Sequence, residues 1–187
     1  MDNAFRMLDL PESAALDEDL LRERFHQLSR SAHPDASGDA ASFDRLSAAY
    51  QTLRSPATRL RHLLELRSAS RPDLRGPVPQ AWMDLFSLLS QTLRRSDQLV
   101  RQRESSASQL ARALLEDQIL TLQRELLELQ TRLVQLQAQA RSRLPGADAL
   151  LAKDSTSIPD EVAQLCREFI YLERWTEQVE AHLHRFL

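Results

Sequence analysis

The heptad repeat in the middle of this chain restricts its fold more than any other feature. Leu115, Leu122, Leu129 and Leu136 recur every seven residues, and Ile119, Leu126, Leu133 and Ala140 form a second row beside them. A third row of Ala113, Leu120, Leu127 and Val134 widens the apolar stripe to about 160° when successive residues turn by about 100°. A stripe of that width is expected to touch two partner helices rather than one. Ser105-Ser106 interrupts the pattern before this helix, and Leu144-Pro145-Gly146 reads as a helix stop after it. On the near side, Trp82, Phe86, Leu89 and Leu93 share a stripe of a helix expected from about residue 80 to 102. On the far side, Ser157-Ile158-Pro159-Asp160 looks like an N-cap, with Asp160 expected as the third helical residue. Val162, Leu165, Phe169, Leu172, Val179, Leu183 and Phe186 then follow at steps of three, four or seven. Breaks at both ends of the central helix let its neighbours fold back, so residues 79–187 are expected to form an antiparallel three-helix bundle. The alternative is a two-chain coiled coil through the central heptads. The bundle is favoured, and with it a monomer.

Residues 1–67 read as a separate helical unit. Residues 68–78 and Pro79 beyond them hold three prolines and a glycine, the composition of a connecting segment. Leu16-Asp17-Glu18-Asp19 opens a helix with acids in its first turn, where the helix dipole favours them. Leu21, Phe25 and Leu28 continue its apolar side, and the helix must end near His33, because Pro34 disfavours helical geometry in the residue before it. His33-Pro34-Asp35 therefore presents an imidazole and a carboxylate on a stiffened turn. Between residues 20 and 32, Arg22, Arg24 and Arg30 outnumber Glu23, a net charge of +2. Arg22, His26 and Arg30 lie four apart and share one face. Ser55-Pro56 separates two further helices, with Pro56 suited to a first helical turn.

Composition agrees with an all-α chain: of 187 residues only 3 are glycine, and aromatics make up 5%. The formal charge of −3, with Lys153 the only lysine, gives no general attraction to nucleic acid or to an anionic membrane. A lone cysteine, Cys166, excludes an internal disulfide and any multi-cysteine metal site, and it is expected to be a packed thiol. His182 and His184, two apart on a helix, make a poor metal pair. Neither phosphate-binding glycine loop nor nucleophile constellation is found, so no enzyme, metal or cofactor is expected. The N-terminus lacks the pattern of a targeting peptide, and no apolar run reaches the ~20 residues needed to span a bilayer. A cytoplasmic location is the expectation.

Residues 4–66 resemble a J-domain, on the strength of Ala4-Phe5-Arg6-Met7-Leu8-Asp9-Leu10, the His33-Pro34-Asp35 turn, and Phe43-Asp44-Arg45-Leu46-Ser47-Ala48-Ala49-Tyr50-Gln51-Thr52-Leu53. The stretch from Leu53 to Leu66 is similar to the HscB family, which assists iron–sulfur cluster biogenesis. That resemblance implies docking on a DnaK- or HscA-type ATPase chaperone through His33, Pro34 and Asp35, aided by the basic face of Arg22, His26 and Arg30. It also implies that the bundle holds an IscU-like scaffold through Trp82, Met83 and Phe86 with Tyr171 opposite. The chain departs from the family in Ala32 and Ala36, in a short interval between Asp35 and Phe43, and in Ser87 and Ser90, which stand where the family patch is acidic. A competing expectation is a J-domain recruiter of a general DnaK-type chaperone, with a coiled-coil dimerisation region and a different client.

Overall fold

A computed structural model describes residues 3–32, 40–68, 72, 74, 76–105, 108–153 and 157–186. Eight α-helices occur among them: α1 (Ala4–Met7), α2 (Glu18–Ala32), α3 (Ala40–Arg54), α4 (Pro56–Arg67), α5 (Met83–Ser105), α6 (Gln109–Arg141), α7 (Leu144–Lys153) and α8 (Asp160–His184). A single 3₁₀ turn, Gln80–Trp82, leads into α5. The His33-Pro34-Asp35 turn falls outside the described residues. None of the described helices is long and apolar enough to cross a membrane.

The helices of the N-terminal part end where side chains satisfy their orphan backbone groups. Asn3 caps α1 by accepting from the amides of Phe5 and Arg6. Asp17 Oδ1 accepts from the amides of Asp19 and Leu20 at 2.8 and 3.2 Å, which starts α2 with the acids the sequence placed there. Ser55 caps α4 through the Thr58 amide, with Pro56 in its first turn. The end of α3 is closed by two side chains from α4. Arg59 Nη1 donates to the Leu53 carbonyl at 3.1 Å, and Thr58 Oγ1 donates to that of Thr52 at 2.7 Å. Arg59 is fully buried, so the contact satisfies a carbonyl that water cannot reach. Stacking of Phe25 on Tyr50, ring centroids 4.4 Å apart, joins α2 to α3 and adds about 0.5–1.5 kcal/mol beyond the area it covers.

Two compact units divide the chain: Met1–Arg75 with Ala140–Phe169, and Gly76–Gln139 with Ile170–Leu187. The contacts therefore cut across the segment 79–187 and group α7 and the start of α8 with the N-terminal helices. Asp148 and Arg67 show how. Asp148 accepts from the Ser13 hydroxyl and from the Ala14 and Ala15 amides, and Arg67 Nη1 donates to the Leu151 carbonyl at 2.6 Å. Glu18 pairs with Arg141. The core of this unit includes Phe5, Leu8, Leu21, Leu53, Leu60 and Leu64, with Leu151, Val162, Cys166 and Phe169. Cys166 is fully buried and lies 3.7 Å from the Ala57 carbonyl, a packed thiol as expected.

In the second unit the core stripe of α5 differs from the expected one. Leu85, Leu89, Thr92, Ser96 and Leu99 are buried, whereas Phe86 is exposed and Trp82 and Leu93 are half-buried. The stripe is rotated because two small polar residues, Thr92 and Ser96, take buried positions that an apolar count skips. Along α6 the two rows containing Ile119, Leu122, Leu126, Leu129 and Leu133 are buried. The third row is not: Leu120, Leu127 and Val134 are 57, 52 and 54% exposed, and Ala113 is exposed too. The 160° stripe therefore does not wrap two partners within the described residues. Leu144-Pro145-Gly146 stops α6 at Arg141 as expected, but it also starts α7, with Pro145 in a first turn where its missing N–H costs nothing. Asp160 is the first residue of α8 rather than the third, because the Pro159 carbonyl already accepts from Val162 and Ala163.

Candidate docking surfaces

The exposed side of α2 carries Arg22, His26 and Arg30, one turn apart and all open to solvent. Their charges are not equally available. Arg22 Nη2 pairs with Asp19 Oδ1 at 2.5 Å, while Arg30 makes no ion pair among the described residues. The full span of α2 adds Glu18 and Asp19 to the window counted from Leu20, so its net charge is zero rather than +2. The positive charge without an ion pair among the described residues is that of Arg30, in the last turn of α2. Arg24 is turned aside toward Asp9, 3.7 Å away.

An aromatic cluster forms in the second unit around a residue absent from the sequence-based set. The ring of Trp175 lies 5.9 Å from Trp82, 6.0 Å from Phe86 and 5.7 Å from Tyr171, each pair tilted. Trp175 itself is only 3% exposed. It is the floor on which the three expected residues rest. The tilted rings avoid the face-to-face sandwich that aromatic quadrupoles disfavour. The signal for Trp175 was in the sequence: it sits between Leu172 and Val179 at steps of three and four.

Above that floor Phe86 is 39% exposed, and Met83 and Asp84 at the start of α5 are exposed as well. Tyr171 is half-buried, and its hydroxyl donates to the Gly76 carbonyl at 2.6 Å. The chain before α5 is thereby held against α8. The structure brings Trp82, Phe86 and Tyr171 together through one buried indole and leaves Met83 on the rim. Leu88 is exposed as well, but two residues from Phe86 it faces a different side of α5. Ser87 is exposed and Ser90 half-buried, so Asp84 supplies the only carboxylate of the stretch 82–90.

Two buried histidines lie apart from both surfaces. His62 Nε2 accepts the Ala4 amide at 3.0 Å, and its ring stacks on Phe5. Burial holds its pKa below the ordinary value, against the opposing pull of Glu65 and Glu12. His182 Nδ1 and Ser96 Oγ are hydrogen-bonded at 2.7 Å. Its pKa is lowered by burial and by Arg185, with Asp97 acting the other way. Both rings are structural acceptors or donors in their neutral form. Among the described residues no group of three or more His, Cys, Asp or Glu side chains could hold a metal ion.

Comparison with known proteins points in one direction. No protein-family model matches the chain. It is 35% identical over 74 residues to the Co-chaperone protein HscB homolog of Shewanella halifaxensis, covering 35% of this chain and 42% of that protein. It is 32% identical over 101 residues to the HscB homolog of Aliivibrio salmonicida, covering 49% of this chain and 57% of that protein. The likeness is to HscB co-chaperones. The aligned stretches span about half the length of these HscB relatives, 42 to 57%. In fold the agreement is longer. Human HscB superposes with a TM-score of 0.55 at 17% identity, over 97% of this chain and 82% of that one. HscB from Vibrio cholerae superposes with a TM-score of 0.52 at 19% identity, over the whole of both chains. The chain thus has the all-α HscB-type fold, an N-terminal J-like domain followed by a C-terminal helical bundle.

Proposed function

We propose that this chain is an HscB-type co-chaperone that stimulates ATP hydrolysis by a DnaK- or HscA-type chaperone and delivers an iron–sulfur scaffold protein to it. The observation that carries the reading is the combination of J-like sequence at one end with HscB fold over nearly the full length. The chain supplies no catalytic group in this role. His33 and Asp35 offer a ring nitrogen and a carboxylate to the ATPase, and Pro34 limits the conformational freedom lost on docking. Arg30 adds positive charge three residues before His33, which speeds encounter with an acidic surface more than it strengthens the complex. Arg22, already paired with Asp19, contributes least.

The bundle would hold the scaffold through Phe86, with Met83 beside it, Phe86 being backed by the ring of Trp175 that Trp82 and Tyr171 also touch. Rigid aromatic support beneath a small apolar surface is what lets a few residues dominate an interface. With serine at positions 87 and 90, the contact depends on apolar burial and owes little to charge, so it should be insensitive to salt.

Capture from a lysate of the source cell tests the reading. The wild-type chain should retain both an ATPase chaperone of the DnaK class and an iron–sulfur scaffold protein. Phe86→Asp should lose the scaffold and keep the chaperone, while His33→Gln should do the reverse. Failure of the wild type to retain either protein contradicts the proposal.

A further inference from the structure

A cavity of about 350 Å³ lies between α1, α3 and α4, and neither docking surface uses it. It exists because the residues that meet there are small. Ala4 of α1, Ala48, Ala49 and Thr52 of α3 and Thr58 of α4 stand where larger side chains would close the gap. The two threonines spend their hydroxyl protons on the backbone. Thr52 donates to the Ala48 carbonyl at 2.9 Å and Thr58 to the Thr52 carbonyl at 2.7 Å. The side-chain donors left to the cavity therefore come from Arg45, Arg61 and His62, which also line it.

His62 carries the argument furthest. Its ring is only 4% exposed, and its Nε2 accepts the Ala4 amide at 3.0 Å. A neutral imidazole that accepts at Nε2 holds its proton on Nδ1. That N–H donates to no group among the described residues. A buried donor without an acceptor is costly, and the cavity beside the ring is where an acceptor can enter. The two arginines supply charge to the same space. Arg61 makes no hydrogen bond or ion pair among the described residues, and Arg45 donates only to the Ser42 hydroxyl, at 3.2 Å. Glu65 is the one acid of the wall, set against both of them.

We propose that this cavity binds a small carboxylic acid with a short apolar body. Its carboxylate lies between Arg45 and Arg61 and accepts the His62 Nδ1–H, while its carbon chain rests on Met7, Ala48 and Ala49. Guanidinium groups suit a carboxylate because their N–H donors match its two oxygens. One negative charge is also what two arginines less Glu65 call for. Inorganic phosphate, with more charge and no carbon body, would leave the alanine and methionine wall uncovered. The volume stands near the lower end of the roughly 300–1,000 Å³ typical of ligand sites, so the acid is a small one. The cavity touches neither α2 nor the Phe86 surface, and its test is independent of the co-chaperone reading.

Calorimetric titration of the full chain with hexanoate tests the proposal. Saturable binding at a single site is expected, at least about tenfold tighter than for hexanol, which lacks the charge, or for acetate, which lacks the chain. Arg45→Gln and Arg61→Gln should each weaken hexanoate by about tenfold or more, the loss expected for one charge-assisted contact. Ala48→Leu extends a larger side chain over the cavity from an exposed position. It should abolish binding while circular dichroism shows the helix content unchanged. In proton NMR, the His62 Nδ1 proton should exchange with water more slowly once hexanoate is bound. Lack of saturable binding up to about 10 mM hexanoate would overturn the proposal. So would hexanol binding as tightly as hexanoate, or hexanoate binding that Ala48→Leu leaves intact.

Discussion

Asp148 Oδ2 accepts a hydrogen bond from Ser13 Oγ at 2.6 Å, across 135 residues of sequence, while its carboxylate also takes the Ala14 amide at 2.6 Å and the Ala15 amide at 3.0 Å. A single acid on α7 thus satisfies three donors of the turn that precedes α2. It fixes the start of that helix to the far part of the chain. Asp148→Ala leaves those donors without their acceptor in a half-buried setting, and it should cost about 1–3 kcal/mol. Ser13→Ala should cost less, because both amide contacts remain. Urea denaturation of the two variants checks the order, and equal losses would show that the backbone contacts contribute nothing.

Stability should fall on the acid side. His62 accepts the Ala4 amide in its neutral form, and burial, then opposed by Glu65 and Glu12, sets its pKa below 6.5. His182 is shifted the same way, by burial and Arg185 against Asp97. A base with a depressed folded pKa binds protons more readily when unfolded, so stability rises with pH. The stabilisation is complete above the ordinary value of 6.5 and is lost as pH drops below it toward the folded values. The denaturation midpoint should therefore decline between neutral pH and mildly acid pH. His62→Gln should flatten that decline while lowering the midpoint at neutral pH, and an unchanged acid slope would contradict the assignment.

The aromatic cluster should separate into floor and surface. Trp175→Ala removes a buried indole and should cost about 3–5 kcal/mol. Phe86→Ala, at a position 39% exposed, should cost about 1 kcal/mol or less while abolishing scaffold capture. Thermal denaturation beside a pull-down distinguishes them. A Phe86→Ala variant that unfolds as readily as Trp175→Ala would make Phe86 a core residue.

Asp9 is the one non-glycine residue with a positive φ among those described, at 51°. It closes α1 in the left-handed conformation, where the Leu10 amide reaches the Phe5 carbonyl at 2.9 Å. Asp9→Gly should stabilise by about 0.5–1 kcal/mol, less the small contribution of the exposed Asp9–Arg24 pair. A lower melting temperature in the variant would show that the ion pair outweighs the backbone strain.

Much of this architecture was legible in the pattern of residues. The acids that open α2, the Ser55-Pro56 division between α3 and α4 and the end of α6 all follow from local chemistry that acts within one turn. The failures share a cause. Periodicity counts apolar residues, so it put Trp82, Phe86, Leu89 and Leu93 on one stripe of α5 without separating core from surface, and it passed over the buried Thr92 and Ser96, the latter bonded to His182. The same count gave α6 one wide stripe, since nothing in spacing alone tells a row that meets a neighbour from one that meets water. Trp175 went unnoticed because its partners lie roughly 90 residues away in sequence or within one turn of it on α8. Asp148 had no local signal at all, since its hydrogen bonds exist only once α7 reaches the turn before α2.

ATP turnover by a DnaK-class chaperone, measured with wild-type chain and with His33→Gln, tests the co-chaperone account most directly. Wild type should accelerate hydrolysis in a saturable manner, and His33→Gln, folded to the same melting temperature, should leave it at the basal rate. Equal turnover with both chains would contradict the account.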